Sequence, residues 1–223
     1  DQNSPLKGGL LGVSYGGTIE SCSASGDVIG QANVGGLVGM AEANTTIIES
    51  YSMGNVVGLN ADIGGLVGRA VKTGITKSYS TGKIQGGEQV GGLVGTFDNS
   101  GSITESYSTG DVQGGSDRVG GLVGRVINGS TISKSYSRGN VEGTSDVGGL
   151  VGTIGGINCI VAECYSTGAV TGTGEAPKNV GGLVGAANEG TVERSYWDTE
   201  ASGKVTSAGG EGKITQQMQD RAT

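Results

Sequence analysis

The sequence predicts an all-β fold: a parallel β-solenoid (β-helix) of about seven turns of about 28 residues, ending in a C-terminal cap. Three observations predict it. A glycine-rich hexapeptide recurs, as VGGLVG at 34–39, 90–95, 119–124, 147–152 and 180–185, as IGGLVG at 63–68, and as a degenerate GGLLG at 8–12. The first glycines of these copies, Gly8, Gly35, Gly64, Gly91, Gly120, Gly148 and Gly181, stand 27, 29, 27, 29, 28 and 33 residues apart. A second phrase keeps the same period: IIESYSMGNVVG, ITKSYSTGKIQG, ITESYSTGDVQG, ISKSYSRGNVEG and VAECYSTGAVTG.

Other readings of the glycines fail on spacing and composition. A phosphate loop occurs once, between a strand and a helix, and ends in Gly-Lys-Ser/Thr; none of these copies does. Gly supplies 48 of 223 residues without the three-residue period of collagen. A β-propeller blade needs about 40–50 residues, longer than this repeat. Hydrophobic residues make up 34% of the chain, with one Phe and one Trp. Such a composition fills a thin, regular core of small side chains rather than a large compact one.

Within each repeat the first strand signal is an apolar column: Ile19, Ile47, Ile75, Ile103, Ile132, Val161 and Val192. A small column follows three residues later, Cys22, Ser50, Ser78, Ser106, Ser135, Cys164 and Ser195. Next come Ser23, Tyr51, Tyr79, Tyr107, Tyr136, Tyr165 and Tyr196, then Gly26, Gly54, Gly82, Gly110, Gly139 and Gly168. Val28, Val56, Ile84, Val112, Val141 and Val170 close the phrase. Residues 49–56 therefore alternate as in a strand: Ser50, Ser52, Gly54 and Val56 face in, and Glu49, Tyr51, Met53 and Asn55 face out.

The outward charged column, Glu49, Lys77, Glu105, Lys134, Glu163 and Arg194, alternates in sign from turn to turn. At about 4.8 Å between stacked strands each charge meets its opposite, as a register device or simply a solvated face. The hexapeptide is ambiguous, because either Val34, Gly36 and Val38 or Gly35, Leu37 and Gly39 point inward. Read as one strand, both choices leave large apolar residues outside. A terminal segment, a neighbouring domain or a second copy is then expected to cover them.

The chain divides into a repeat solenoid over 1–194 and an atypical terminal repeat with a cap over 195–223. After Ser195 and Tyr196 the repeat phrase is lost, as expected where an open sheet edge must be closed. Trp197 belongs to that cap or, alternatively, to an aromatic ligand site. The start, DQNSPLKGG, lacks a basic leader region, as expected of a mature or trimmed fragment.

With these phrases in hand, the chain resembles the GLUG-repeat family of bacterial surface proteins, whose Gly-Leu-x-Gly core stands here as Gly36-Leu37-Val38-Gly39 and its equivalents. SYWDTEASG followed by GGEGKITQQMQ is similar to the segment that closes such arrays. The resemblance covers residues 6–200 and departs from the pattern at Lys7, Leu11, Ser23 and the loop 171–179. It implies a secreted or wall-attached protein with adhesin-like relatives, located outside the bacterial cell, in which this chain is one module beside other domains of a larger parent. It transfers no catalytic residue.

The chemistry points the same way. The chain has no histidine, which removes Ser–His and Cys–His catalysis and the commonest zinc ligand sets. Cys22 and Cys164 lie five turns apart, beyond disulfide reach, and Cys159 and Cys164 pair only if a turn brings them together. Buried free thiols are the expectation. The turn acids Asp62, Glu88, Asp117 and Asp146 do not repeat with calcium-ligand geometry, so no metal and no cofactor is expected. An ice-binding array fails because Met53 and Arg138 break the column Ser25, Met53, Thr81, Thr109, Arg138, Thr167. The formal charge of −7 disfavours nucleic acid, and no apolar run is long enough to span a membrane. The expected function is a non-catalytic adhesion module, a stalk or a binding surface. A polysaccharide-degrading β-helix, lyase or hydrolase, is the alternative, although no paired carboxylates cluster in one irregular turn. The one regular outward aromatic array is Tyr51, Tyr79, Tyr107, Tyr136 and Tyr165. It is the candidate surface for a host glycan or matrix protein, unless its rings only stack on one another.

Overall fold

We analysed a computed structural model, in which residues 5–220 are described; the outermost residues of both predicted regions, 1–4 and 221–223, lie outside that range. The chain winds as a parallel β-solenoid. In order along the first turn, the strands are Lys7–Gly8, Leu11–Tyr15, Thr18–Glu20, Ser23–Ala24 and Val28–Gly30. The next turn repeats them at Val34–Gly35, Val38–Glu42, Thr46–Ile48, Tyr51–Ser52 and Val56–Gly58. Each strand pairs in parallel with its equivalents above and below, so the Val-Gly strands alone form a seven-stranded sheet. Identical letters pair with identical letters, as in Tyr79 with Tyr51 and Tyr107, and Ile75 with Ile47 and Ile103.

The cross-section holds two separate apolar cores. One is built from the hexapeptide Leu and second Val with the Ile column, for example Leu37, Val38, Ile47, Leu66, Val67 and Ile75. The other joins the first Val of the hexapeptide to the Val-x-Gly strand, as in Val34, Val56, Ile63 and Ile84. Between them the opposite walls nearly touch. The second glycine of each hexapeptide packs on the serine after tyrosine, so a Cβ on Gly36 would overlap Ser52, and one on Gly65 would overlap Ser80. The first glycine is excluded from carrying a side chain by its own turn, since a Cβ on Gly35 would meet the Val38 carbonyl.

This arrangement corrects the expectation that an outside element covers the hexapeptide. The hexapeptide is a corner rather than one strand. Val34–Gly35 ends on one sheet and Val38 begins the next. At the bend the Leu66 carbonyl accepts from both Leu37 N (3.0 Å) and Val38 N (3.0 Å), a sharing repeated at Leu93 by Leu66 and Val67. The chain direction changes between the apolar residues, so Val34 enters one core while Leu37 and Val38 enter the other, all fully buried. Period-two alternation did not apply across the bend.

The charged column is likewise a corner. Glu49, Lys77, Glu105, Lys134, Glu163 and Arg194 all take left-handed backbone, with φ between 44° and 55°. A strand over 49–56 is thus broken into Tyr51–Ser52 and Val56–Gly58, although the inward and outward sets hold. The next residue compensates for the turn: Ser50 N donates to Ser78 Oγ (3.1 Å), and Ser50 Oγ donates to the Ile48 carbonyl (2.8 Å). The serine column therefore carries hydrogen bonding from turn to turn at the point where the backbone bends away. Among the described residues the sign alternation closes two ion pairs within this column, Lys77–Glu49 at 3.8 Å and Arg194–Glu163 at 3.0 Å.

The last turn is closed by its own cap. Trp197 replaces the serine of the narrow seam and packs against Gly182, 5% exposed, with Nε1 donating to the Lys204 carbonyl (2.9 Å). Its indole is thus structural and not open to a ligand. Helix α1 (Thr199–Ser202) starts at Asp198, whose carboxylate accepts from Glu200 N and Ala201 N, and stops at Gly203 with φ 65°. The following segment takes the place of an eighth turn. Gly182 N donates to the Thr206 carbonyl (3.0 Å), and Leu183 N and Val184 N both donate to Ser207 Oγ (3.2 and 2.8 Å). Glu211–Lys213 then extends the tyrosine sheet beyond Tyr196–Asp198, and helix α2 (Thr215–Asp220) lies beside it. All three cysteines are free, Cys159 and Cys164 buried and Cys22 half-buried.

Candidate tyrosine face and its terminal cleft

Two-residue strands, one per turn, carry the predicted tyrosines. Each strand puts Tyr outward and the next Ser inward, and the parallel register brings the rings into one column. The structure brings all five predicted residues together. Tyr51, Tyr79, Tyr107, Tyr136 and Tyr165 stack face to face, with centroids 4.8, 4.8, 4.9 and 4.9 Å apart and planes within 7° of parallel. The ring spacing equals the rise of one turn. Ring faces inside the column are consequently used up by neighbours, and what reaches solvent is a row of ring edges and phenol hydroxyls. Crowding has an electrostatic signature. The Tyr79 and Tyr136 hydroxyls titrate above the ordinary phenol range, through desolvation first and then the adjacent phenols.

The column has two ends. Toward the N-terminus Ser23 stands where a ring would be, opposite Tyr51 in the register. Toward the C-terminus, the stacking among described residues stops at Tyr165 although Tyr196 occupies the next register position. Beyond Tyr165 lies a cleft of about 750 Å³, walled by Tyr165 and Tyr196, by Glu163 and Arg194 from the corner column, by Arg138, and by Met218 of α2. The Arg138 guanidinium sits 5.0 Å from the Tyr136 centroid and donates to the Tyr165 hydroxyl (3.4 Å), which holds its proton above the usual range.

Sequence reasoning missed this cleft. Its only trace was Arg138 interrupting a Thr column, read there as evidence against an ice-binding array. Tyr196 was aligned with the column but not singled out, and α2 has no repeat signature. Of the turn acids, Asp62 contacts Arg69 (3.5 Å), Glu88 contacts Arg118 (3.4 Å), and Asp146 accepts from Thr153 and Asn179. Among the described residues no group of three or more His, Cys, Asp or Glu converges. In the same range, no helix is long and apolar enough to cross a membrane.

Comparison with family models matches the GLUG motif at residues 8–29, 86–113 and 115–142. Three segments of the chain thus match the GLUG motif. The matched segments lie on turns of the solenoid, and the hexapeptide glycines within two of them, Gly91, Gly92, Gly120 and Gly121, are positions at which a Cβ would overlap backbone or serine. Searches of curated proteins and of solved structures returned no match.

Proposed function

We propose that this GLUG-repeat solenoid is a non-catalytic module of an extracellular bacterial surface protein, working in adhesion as a stalk or binding surface, with the tyrosine face as the contact for a host glycan or matrix protein. The observation that carries this reading is the unbroken tyrosine column, the one aromatic array that the fold repeats on its outside. Because its ring faces are occupied, a partner meets the row of hydroxyls and edges, a surface that hydrogen-bonds and packs at once. The repeated letters of the motif are accounted for by corners and narrow walls, and nothing in them is set aside for chemistry.

The polysaccharide-degrading alternative draws on the two carboxylates at the terminal cleft. Both are engaged: Glu163 with Arg194, and Asp198 as cap of α1 and acceptor from Thr215 Oγ1 (3.0 Å). Such groups are positioned as acceptors already in use rather than as a free acid and base.

An array of glycans and matrix proteins, probed with the wild type and a Tyr79→Ala, Tyr107→Ala double variant, tests the proposal. Binding that weakens progressively as tyrosines are removed is expected. Equal signals from both proteins would remove the tyrosine face as the contact. Polysaccharide turnover abolished by Glu163→Gln would restore the enzyme reading.

A further inference from the structure

We infer that the cleft at the C-terminal end of the tyrosine column binds one carboxylate-bearing pyranose, the acidic sugar of a glycan; this deepens the reading of the tyrosine face as a binding surface. Three independent features of the cleft select that chemistry.

The first is an aromatic face. Inside the column each ring is covered on both sides, but among the described residues Tyr165 is stacked only by Tyr136, at 4.9 Å, and Tyr165 also lines the cleft. Pyranose rings present an apolar C–H face that packs on such a surface. At the opposite end the register places Ser23, not a ring, beside Tyr51. The second feature is shape. At about 750 Å³, lined by Tyr165, Tyr196 and Met218, the cleft has the size of small-molecule sites and apolar side chains around it.

The third is charge. Every carboxylate of the lining is taken: Glu163 by Arg194 at 3.0 Å, and Asp198 by two backbone N–H groups and the Thr215 hydroxyl. Arg194 is in turn held by Glu163 and Glu193. Arg138 differs. Among the described residues no carboxylate lies within ion-pair distance of it, and its guanidinium spends one donor on the Tyr165 hydroxyl. An incoming carboxylate finds a planar, forked donor beside the Tyr165 ring, while an incoming cation finds no unpaired acid. Arg138 is also peculiar to this turn, since the same column carries Thr81, Thr109 and Thr167 elsewhere.

The experiment titrates the whole chain with methyl glucuronide and with neutral methyl glucoside, by calorimetry or ligand-observed NMR. The proteins are wild type, Arg138→Thr, Tyr165→Ser and the distal control Tyr51→Ser, each checked for fold by circular dichroism. The expected result is glucuronide binding that falls at least tenfold in Arg138→Thr and Tyr165→Ser, is unchanged in Tyr51→Ser, and exceeds glucoside binding at least tenfold. Should Tyr165→Ser not fold, the exposed Arg138→Thr variant decides alone. No glucuronide binding by the wild type, or equal binding of glucuronide and glucoside, overturns the inference, as does full affinity in Arg138→Thr. Array binding that is lost with Tyr79 and Tyr107 while glucuronide fails to bind overturns the cleft and leaves the tyrosine face standing. Glucuronide binding without any array signal supports the cleft by itself.

Discussion

Gly92 is the residue at which the solenoid's packing is most sharply testable. It is the second glycine of its hexapeptide, and its φ lies outside the left-handed region, so the backbone itself admits alanine. Space does not. A Cβ there would stand 2.8 Å from Ser108 Cβ and closer still to Ser108 Oγ and to the Gly121 carbonyl of the next turn. The carbonyl is backbone and cannot rotate away as a flexible side chain could. Overpacking of this kind costs about 1–3 kcal/mol. Loss of glycine's freedom in the unfolded chain offsets about 0.4–1 kcal/mol. Gly92→Ala should therefore destabilise by about 1–2 kcal/mol, lowering Tm by about 2–8 °C for a chain of this size. Gly74 supplies the matched control, also outside the left-handed region, with Ser102 Oγ and Thr46 Cγ2 both 3.8 Å from the added carbon. Only the unfolded-state term remains there, and Gly74→Ala should raise Tm by about 1–4 °C. Thermal and urea unfolding followed by circular dichroism read both variants. A Gly92→Ala protein as stable as wild type, or shifts of the same sign in the two variants, would refute the account of the narrow seam.

Further expectations follow from the same geometry. Ser106→Leu, placed in the buried serine column, should cost about 1–3 kcal/mol, whereas Thr109→Ala on the outside should change stability by less than about 0.5 kcal/mol; denaturant midpoints separate them. Tyr79 and Tyr136 have folded-state pKa values above the ordinary 10.0, so their contribution is fully present below pH 10.0 and is lost as pH rises through the raised values. In an alkaline titration the tyrosinate absorbance should show a component, lost in a Tyr79→Phe, Tyr136→Phe variant, that develops at higher pH than in the urea-unfolded chain, with stability falling over the same window. Burial pushes the Cys164 thiol up to about 12 and Cys159 is fully buried, so an alkylating reagent at neutral pH should label Cys22 in the folded protein and all three thiols after denaturation.

What the sequence determined by itself was everything that repeats. A fixed period writes one structural decision many times, so the turn, the parallel register, the inward serines and the tyrosine column were all legible from aligned letters. Ser50, Tyr51 and Val56 each needed only their own column to reveal which way they face. Tertiary structure decided what repetition cannot encode. Whether VGGLVG is a strand or a corner depends on the backbone turning between Gly35 and Leu37, and that turn is possible because glycine has no Cβ to overlap the Val38 carbonyl or the next turn. Whether the tyrosines offer faces or edges depends on the stacking distance, which the rise per turn fixes. The terminal cleft lies beyond the periodic part altogether. Tyr165, Arg138 and Met218 are joined there by the cap folding back along the tyrosine sheet, a contact between residues that no shared period connects.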